Sequence, residues 1–214
     1  MLVEANVVKP KRKTKAKARP KRRERQTREI TAGELLDVAE ALFIERGFAA
    51  TTVGDVVKRA NVTTGALYHV FPDKQALFAR VARRVVDRLV STAAAAVAAE
   101  KDPWRQLEAG MTAILAGASG PQVRLAFIDA PVVLGLEAWR EIEQEATAPL
   151  LGSVLMRLAE SGALPPQRAL LLGRVIRGAM LEAAMAVAES GKPELARVEL
   201  EGILKTMFGA FRAQ

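Results

Sequence analysis

The stretch from Thr31 to Pro72 constrains the fold most, because it is cut into three short helices whose starts and stops are written in side chains. Thr31-Ala-Gly-Glu34 is a capping box, in which a threonine side chain and a glutamate three residues on satisfy the free N–H groups opening a helix. Behind it Leu35, Leu36, Ala39, Leu42 and Phe43 fall on one face at helical spacing, and Gly47 marks the end. Thr52 and Asp55 repeat the start signal for a second helix, with Val53, Val56, Val57 and Ala60 inward and a stop at Asn61. Asparagine tolerates a left-handed backbone, so Asn61 suits the tight turn between two steeply crossing helices. Thr63 caps the third helix, and Pro72 ends it by pushing Phe71 out of helical geometry. Leu67, Val70 and Phe71 lie at i, i+3 and i+4, so all three are expected to anchor it to the core.

The opposite face of that third helix carries Thr64, Gly65, Tyr68 and His69, a set of hydroxyls, one imidazole and one missing side chain. Thr64 is short enough to meet a base edge or a thymine methyl, and Gly65 lets the backbone come close. Tyr68 and His69 can donate to phosphates or bases, and Lys74 just beyond is expected to reach a phosphate. Thr52 opens helix 2, where free N–H groups and the helix dipole favour a phosphate oxygen. These residues outline a surface for the DNA major groove.

Asp73 caps a longer helix in which Phe78, Val81, Ala82, Val85, Val86, Leu89 and Val90 form a stripe opposite Arg80, Arg83, Arg84 and Arg88. Asp102-Pro103 opens the next, with Leu107, Met111, Ile114 and Leu115 inward and an end near residues 117–121. A nearly apolar helix at about 122–130 meets Pro131, which is expected to kink or stop it before Gly135. A long helix from Glu137 contains Pro149, where a bend is expected, and 162–166 form a loop. Two last helices, about 166–190 and 194–211, bring the count to nine. Half the residues are apolar but only 5% aromatic, and no alternating strand pattern occurs, so the fold class is all-α.

Charge is unevenly placed. Residues 1–28 hold 12 of the 32 Lys and Arg against Glu4 and Glu24, a net +10, whereas the remaining 20 basic and 22 acidic residues give −2. The segment has no apolar periodicity to offset the entropy of ordering, so it is read as a disordered basic arm attracted to phosphates. The expected organisation is arm 1–28, DNA-binding domain 29–75 and C-terminal domain 76–214. Without cysteine there is no disulfide or thiolate site, and no run approaches the roughly 18 apolar residues of a membrane span, nor does an apolar signal core follow the basic start. A cytoplasmic protein is expected. No cofactor or metal is implied, since the single histidine lies on the DNA face and no phosphate-cradling glycine motif occurs; an enzyme is therefore not expected. Glu141 and Glu145 read as a solvated helix face.

From Leu35 to Phe78 the motifs LxxxALF, GF, TTVxDV and ANVTTGALYHVF, with the lysine after them, closely resemble the DNA-binding domain of TetR-type transcription regulators. The resemblance implies a helix-turn-helix with DNA contacts by Thr63, Thr64, Gly65, Tyr68, His69 and Lys74, and a backbone-phosphate contact by Thr52. Val70 stands where the family usually has histidine, and Gly54 where relatives often carry a basic or polar residue, which shifts expected affinity toward the arm. Residues 124–143 are more weakly similar to the sensor region of some members. The family likeness implies a pocket for a small-molecule effector and a homodimer, built by the last two helices, on a palindromic double-stranded operator.

For the pocket the candidates are Met111, Leu115, Phe127, Ile128, Asp129, Leu136, Trp139, Leu151 and Leu155, which at helical spacing also suit plain core. Asp129 stands out as a carboxylate within an apolar run. For the dimer they are Leu170, Leu171, Val175, Gly178, Ala179, Ala183 and Ala186, whose small members permit close helix approach. The function expected is a sequence-specific regulator, by default a repressor released by its ligand. The rival is a nonspecific architectural DNA binder driven by the arm.

Overall fold

The computed structural model describes residues 32–212, so the basic arm and Thr31 lie outside the described residues. Among these there are nine helices and no strand. Three make a head: α1 (Ala32–Ala50), α2 (Val53–Ala60) and α3 (Thr64–Val70). Six make the body: α4 (Lys74–Ala99), α5 (Pro103–Gly117), a composite α6 over 121–134, α7 (Leu136–Glu160), α8 (Pro166–Glu189) and α9 (Pro193–Gly209).

The local signals in the head are realised as chemistry. Leu35, Leu36, Ala39, Leu42 and Phe43 are the buried face of α1, and Gly47 breaks its helical geometry at φ 75°. The Thr52 hydroxyl accepts from Asp55 N (3.1 Å) while the Thr52 N–H donates to Asp55 Oδ2 (2.9 Å), closing the capping box of α2. Asn61 adopts φ 56°, ψ 43°, the left-handed turn that separates α2 from α3. Thr63 caps α3 by accepting from Ala66 N (3.2 Å), and Asp73 caps α4 by accepting from Ala76 N (2.7 Å). Caps of this kind are each worth about 1 kcal/mol, enough to fix where short helices begin.

The core does not divide where a head and a body would. Leu77, Phe78, Val81 and Ala82 of α4 pack with α1 to α3, and the same cluster continues into Val123, Leu125, Phe127 and Trp139. Phe43, Phe48 and Phe78 form a ring cluster with centroids 5.0–6.0 Å apart, fastening α1 to α4. Across the outside of this contact Arg84 pairs with Asp37 (2.5 Å) and Arg88 with Glu40, both from α4 to α1. Arg83 reaches the other way, to Glu145 of α7 (2.9 Å), so Glu145 is an ion-pair partner rather than a purely solvated face. The expected boundary at 75/76 therefore falls in the first turn of a helix that packs on both halves.

Pro131 neither stops nor ends α6. Residues 121–124 are α-helical, Leu125–Asp129 widen into π-helical geometry, and Ala130–Leu134 return to α, with the Ala130 N–H bonding Leu125 O. A proline lacks an N–H and crowds the carbonyl four residues back; the widened turn before it absorbs both effects. Gly135 at φ 87° then ends α6, and Pro149 sits inside α7.

Candidate nucleic-acid interface and effector cavity

The reading face is built on a two-residue anchor. Leu67 is fully buried and Phe71 nearly so, while Thr63, Thr64, Gly65, Tyr68 and His69 are exposed. Tyr68 and His69 make no side-chain hydrogen bond within the described residues, and Thr64 makes none either, which leaves their polar atoms available to an outside partner. A Cβ added at Gly65 would have only Thr63 Oγ1 near it, at 4.0 Å, so nothing inside the protein requires glycine there.

Val70 corrects the sequence expectation: it is 41% exposed and does not anchor α3. The helix stops at Val70, and Phe71 swings into extended geometry at φ −128°. Helical spacing thus no longer governs where the last two side chains point. Phe71 turns inward and Val70 joins the outer face.

Lys74 also departs from expectation. Its ammonium donates to Phe48 O (2.9 Å) and Thr51 O (3.0 Å) and lies 4.0 Å from the centre of the Phe48 ring. Two of its three protons are thus spent joining the start of α4 to the end of α1, so it is not a free arm extended toward phosphate. Thr52 is likewise engaged: its hydroxyl also donates to Asp55 Oδ2 (2.6 Å), which helps lower the Asp55 pKa. The N–H groups left for a phosphate at this end are those of Val53 and Gly54 beyond the cap.

One consequence is measurable. Lys74→Met is expected to destabilise the fold by about 1–3 kcal/mol, the usual cost of removing a charged donor from buried carbonyls. Thermal melting of the isolated protein checks it. An unchanged melt, with only the salt dependence of DNA binding reduced, would return Lys74 to a phosphate role.

The body holds a mostly apolar cavity of about 100 Å³ between α4, α5, α6, α7 and α8. Its α4 wall is Val86, Leu89, Val90, Ala93 and Val97. Of the expected lining residues it has Met111, Phe127 and Leu151. Leu115 is fully buried core, Trp139 stacks edge-on against Phe127 (5.3 Å) outside the cavity, and Leu155 faces the α7–α8 groove. Leu136 is exposed, while Ile128 and Asp129, both in the π segment, are half-buried away from the lining. Burial raises the Asp129 pKa, opposed by the Arg124 charge.

The polar groups of the cavity are not among the residues that the spacing predicts. They are Gln106, Glu143, Thr147 and Arg177. Gln106 is committed elsewhere, donating to Glu100 O (2.8 Å) and accepting from Arg157 Nε (2.7 Å). Thr147 donates to Glu143 Oε1 (2.9 Å), and Arg177 Nε stands 3.9 Å from Glu143 Oε2. Glu143 was legible in principle: it shares a helical stripe with Trp139, Ala146 and Leu150, a carboxylate in an apolar row just as Asp129 is.

Burial pushes the Glu143 pKa above the ordinary 4.5, with Thr147 and Arg177 opposing. The native state therefore holds this proton more firmly than the unfolded chain does. Below pH 4.5 both states are protonated and nothing is lost; as pH rises from there through the native pKa, stability falls and then levels. Glu143→Gln should remove that step, so the melting temperature of wild type relative to the variant declines as pH rises above 4.5 and then levels. A difference constant with pH contradicts the assignment.

A short anchored helix with an exposed polar face, set on a helical body that holds a cavity, is the two-part layout of a helix-turn-helix head on a helical body. Residues 35–81 match the profile of bacterial regulatory proteins of the tetR family, and residues 104–211 that of a tetracyclin repressor-like C-terminal domain. The chain belongs to the TetR family. A curated relative is the HTH-type transcriptional repressor KstR2 of Rhodococcus jostii, 40% identical over 79 residues, which are 37% of this chain and 39% of that protein. The match thus spans about two fifths of the relative. Among solved structures, a TetR-family transcriptional regulator from Pectobacterium atrosepticum superposes with TM-score 0.70 at 26% identity, covering 82% of this chain and 91% of that one. The ketosteroid transcriptional regulator KstR2 of Mycobacterium tuberculosis does so with TM-score 0.55 at 26% identity, covering 85% and 95%.

Proposed function

We propose that this chain is a sequence-specific DNA-binding transcription regulator, a repressor released from its operator by a small molecule. The observation that carries the reading is the face of α3, where Thr63, Thr64, Gly65, Tyr68 and His69 are exposed and polar or absent while Leu67 and Phe71 fix the helix beneath. Hydroxyl, imidazole and bare backbone suit base edges in a groove; an architectural binder acting through charge alone needs lysine and arginine instead. The +10 arm adds phosphate affinity without selectivity.

The proposed assembly is a homodimer through α8 and α9. Leu170, Leu171 and Val175 of α8 and Leu195, Val198 and Ile203 of α9 are each more than half exposed, although large apolar side chains are costly to leave in water. Gly178, Ala179 and Ala186 supply small contacts along α8, whereas Ala183 is buried in the subunit's own core and drops out of the expected set. A twofold dimer matches a palindromic operator whose half-sites lie about 34 Å apart.

The effector site is the body cavity, and α4 is the transmitter, since its first turns pack in the head and its later turns form one cavity wall. KstR2 of M. tuberculosis is described as a ketosteroid regulator. Here about 100 Å³ is less than the roughly 150 Å³ that houses benzene in an engineered cavity, so the effector is far smaller than a steroid or the walls open around it. A ligand that shifts α4 changes the spacing of the two reading heads, and coupling of this kind is reciprocal. No helix among the described residues is long and apolar enough to cross a membrane.

The test is selection of fragments from genomic DNA by the full chain under excess nonspecific competitor. A shared palindrome among retained fragments is the expected result. Uniform retention irrespective of sequence supports the architectural reading instead.

A further inference from the structure

The polar end of the cavity is a charge pair left open at hydrogen-bond distance. Glu143 of α7 is 6% exposed, and its Oε1 is occupied by Thr147. Its Oε2 faces Arg177 of α8 across 3.9 Å, too far for a hydrogen bond, and Arg177 has no other ion pair among the described residues. The α4 wall contributes only Val86, Leu89, Val90, Ala93 and Val97, α6 only Phe127, and the amide of Gln106 on α5 is engaged through both its nitrogen and its oxygen. The cavity therefore sets one carboxylate and one guanidinium facing each other, with the already bonded Gln106 and Thr147 beside them and hydrocarbon on the rest of the lining.

That arrangement selects a head group by elimination. An ionised acid entering beside Glu143 would place two negative charges against one guanidinium, and an ammonium would do the converse. Either leaves a net charge against largely apolar walls beside the buried Glu143, where uncompensated charge is disfavoured, although Arg177 itself is 32% exposed. A bare hydrocarbon leaves both gaps unfilled. A hydroxyl donates one hydrogen bond and accepts another, so it can donate to Glu143 Oε2 and accept from the Arg177 guanidinium without changing the charge balance.

We propose that the cavity takes a small, uncharged aromatic or aliphatic molecule carrying a hydroxyl, bound head-first between Glu143 and Arg177. The proposal rests on the reading of the cavity as the effector site. Met111 and Met180 in the lining are unbranched and adaptable, so a ring slightly larger than the free space is accommodated by rotation of their side chains. Arg177 also lines the outer groove between α7 and α8, beside Leu170 and Arg174, so the head group lies next to the proposed dimer face.

The test uses four molecules with one skeleton: benzyl alcohol, benzoate, benzylamine and toluene. Each is titrated into the full-length protein, with calorimetry and tryptophan fluorescence as readouts, Trp139 reporting through its contact with the cavity-lining Phe127. Benzyl alcohol is expected to bind about tenfold more tightly than each of the others, since two hydrogen bonds to charged groups exceed that factor when both form. Glu143→Gln should turn the preference toward benzoate and Arg177→Gln toward benzylamine. Should a variant fail to fold, the wild-type ranking alone decides. Tightest binding by benzoate, benzylamine or toluene overturns the head-group assignment and leaves the cavity as the effector site. Absence of binding by all four at millimolar concentration overturns the cavity reading as well.

Discussion

Gly65→Leu is expected to reduce operator affinity by at least about 100-fold while leaving the thermal stability of the free protein unchanged or slightly raised. Glycine within a helix is less favourable than most residues by up to about 1 kcal/mol, and the position is exposed with open space around it. Nothing in the protein resists the side chain. In the complex, however, a leucine at the first turn of α3 would hold the reading helix away from the bases. Each lost base contact costs about 1–3 kcal/mol, and a dimer loses it in both half-sites. Gel-shift titration beside a melting curve measures both quantities. Full retention of affinity would mean that α3 does not approach DNA closely at this point.

Val175→Glu is the second large effect. The side chain is 55% exposed in the subunit, so the monomer should fold as before. At a twofold interface one substitution is felt twice, placing two carboxylates in an apolar contact. The expected outcome is a monomer by analytical ultracentrifugation and loss of operator affinity exceeding about 100-fold, because a covalent or stable link between two heads raises the effective concentration of the second to millimolar. A variant that remains dimeric and binds normally contradicts the proposed α8–α9 interface.

Much of this fold was legible because its signals are local. Thr52, Asn61, Thr63, Asp73 and Asp102 each act on backbone groups within a few residues, and each is found at the cap or turn its chemistry requires. Buried stripes on α1 and α4 followed from spacing in the same way. What escaped was decided over longer distances. The local effect of Pro131 predicts a kink or a stop, but the chain has the alternative of widening the turn at Leu125–Asp129 and carrying α6 to Leu134.

The site shows the same division. The exposed residues of α3 could be picked out one by one, since a short helix with one buried leucine leaves the rest outside. Val70 was misplaced because periodicity presumes that the helix continues, and here it ends on that residue. Lys74 found carbonyls 23 and 26 positions earlier in the chain, a contact made by tertiary packing and invisible in spacing. Glu143 and Arg177 meet for the same reason: they belong to different helices, and neither stripe names the other. Pocket membership requires knowing which stripes face a shared gap, whereas core membership requires only the stripe.

Placement of α3 in the major groove is open to a direct test. The chain contains no cysteine, so Val70→Cys provides a single thiol at the exposed end of that helix for an iron–EDTA cleavage reagent. On an operator recovered by selection, two clusters of strand cuts are predicted, related by the palindrome's twofold axis, opening onto the major groove and about one helical turn apart. Cuts spread evenly along the duplex, or centred in the minor groove, would contradict it.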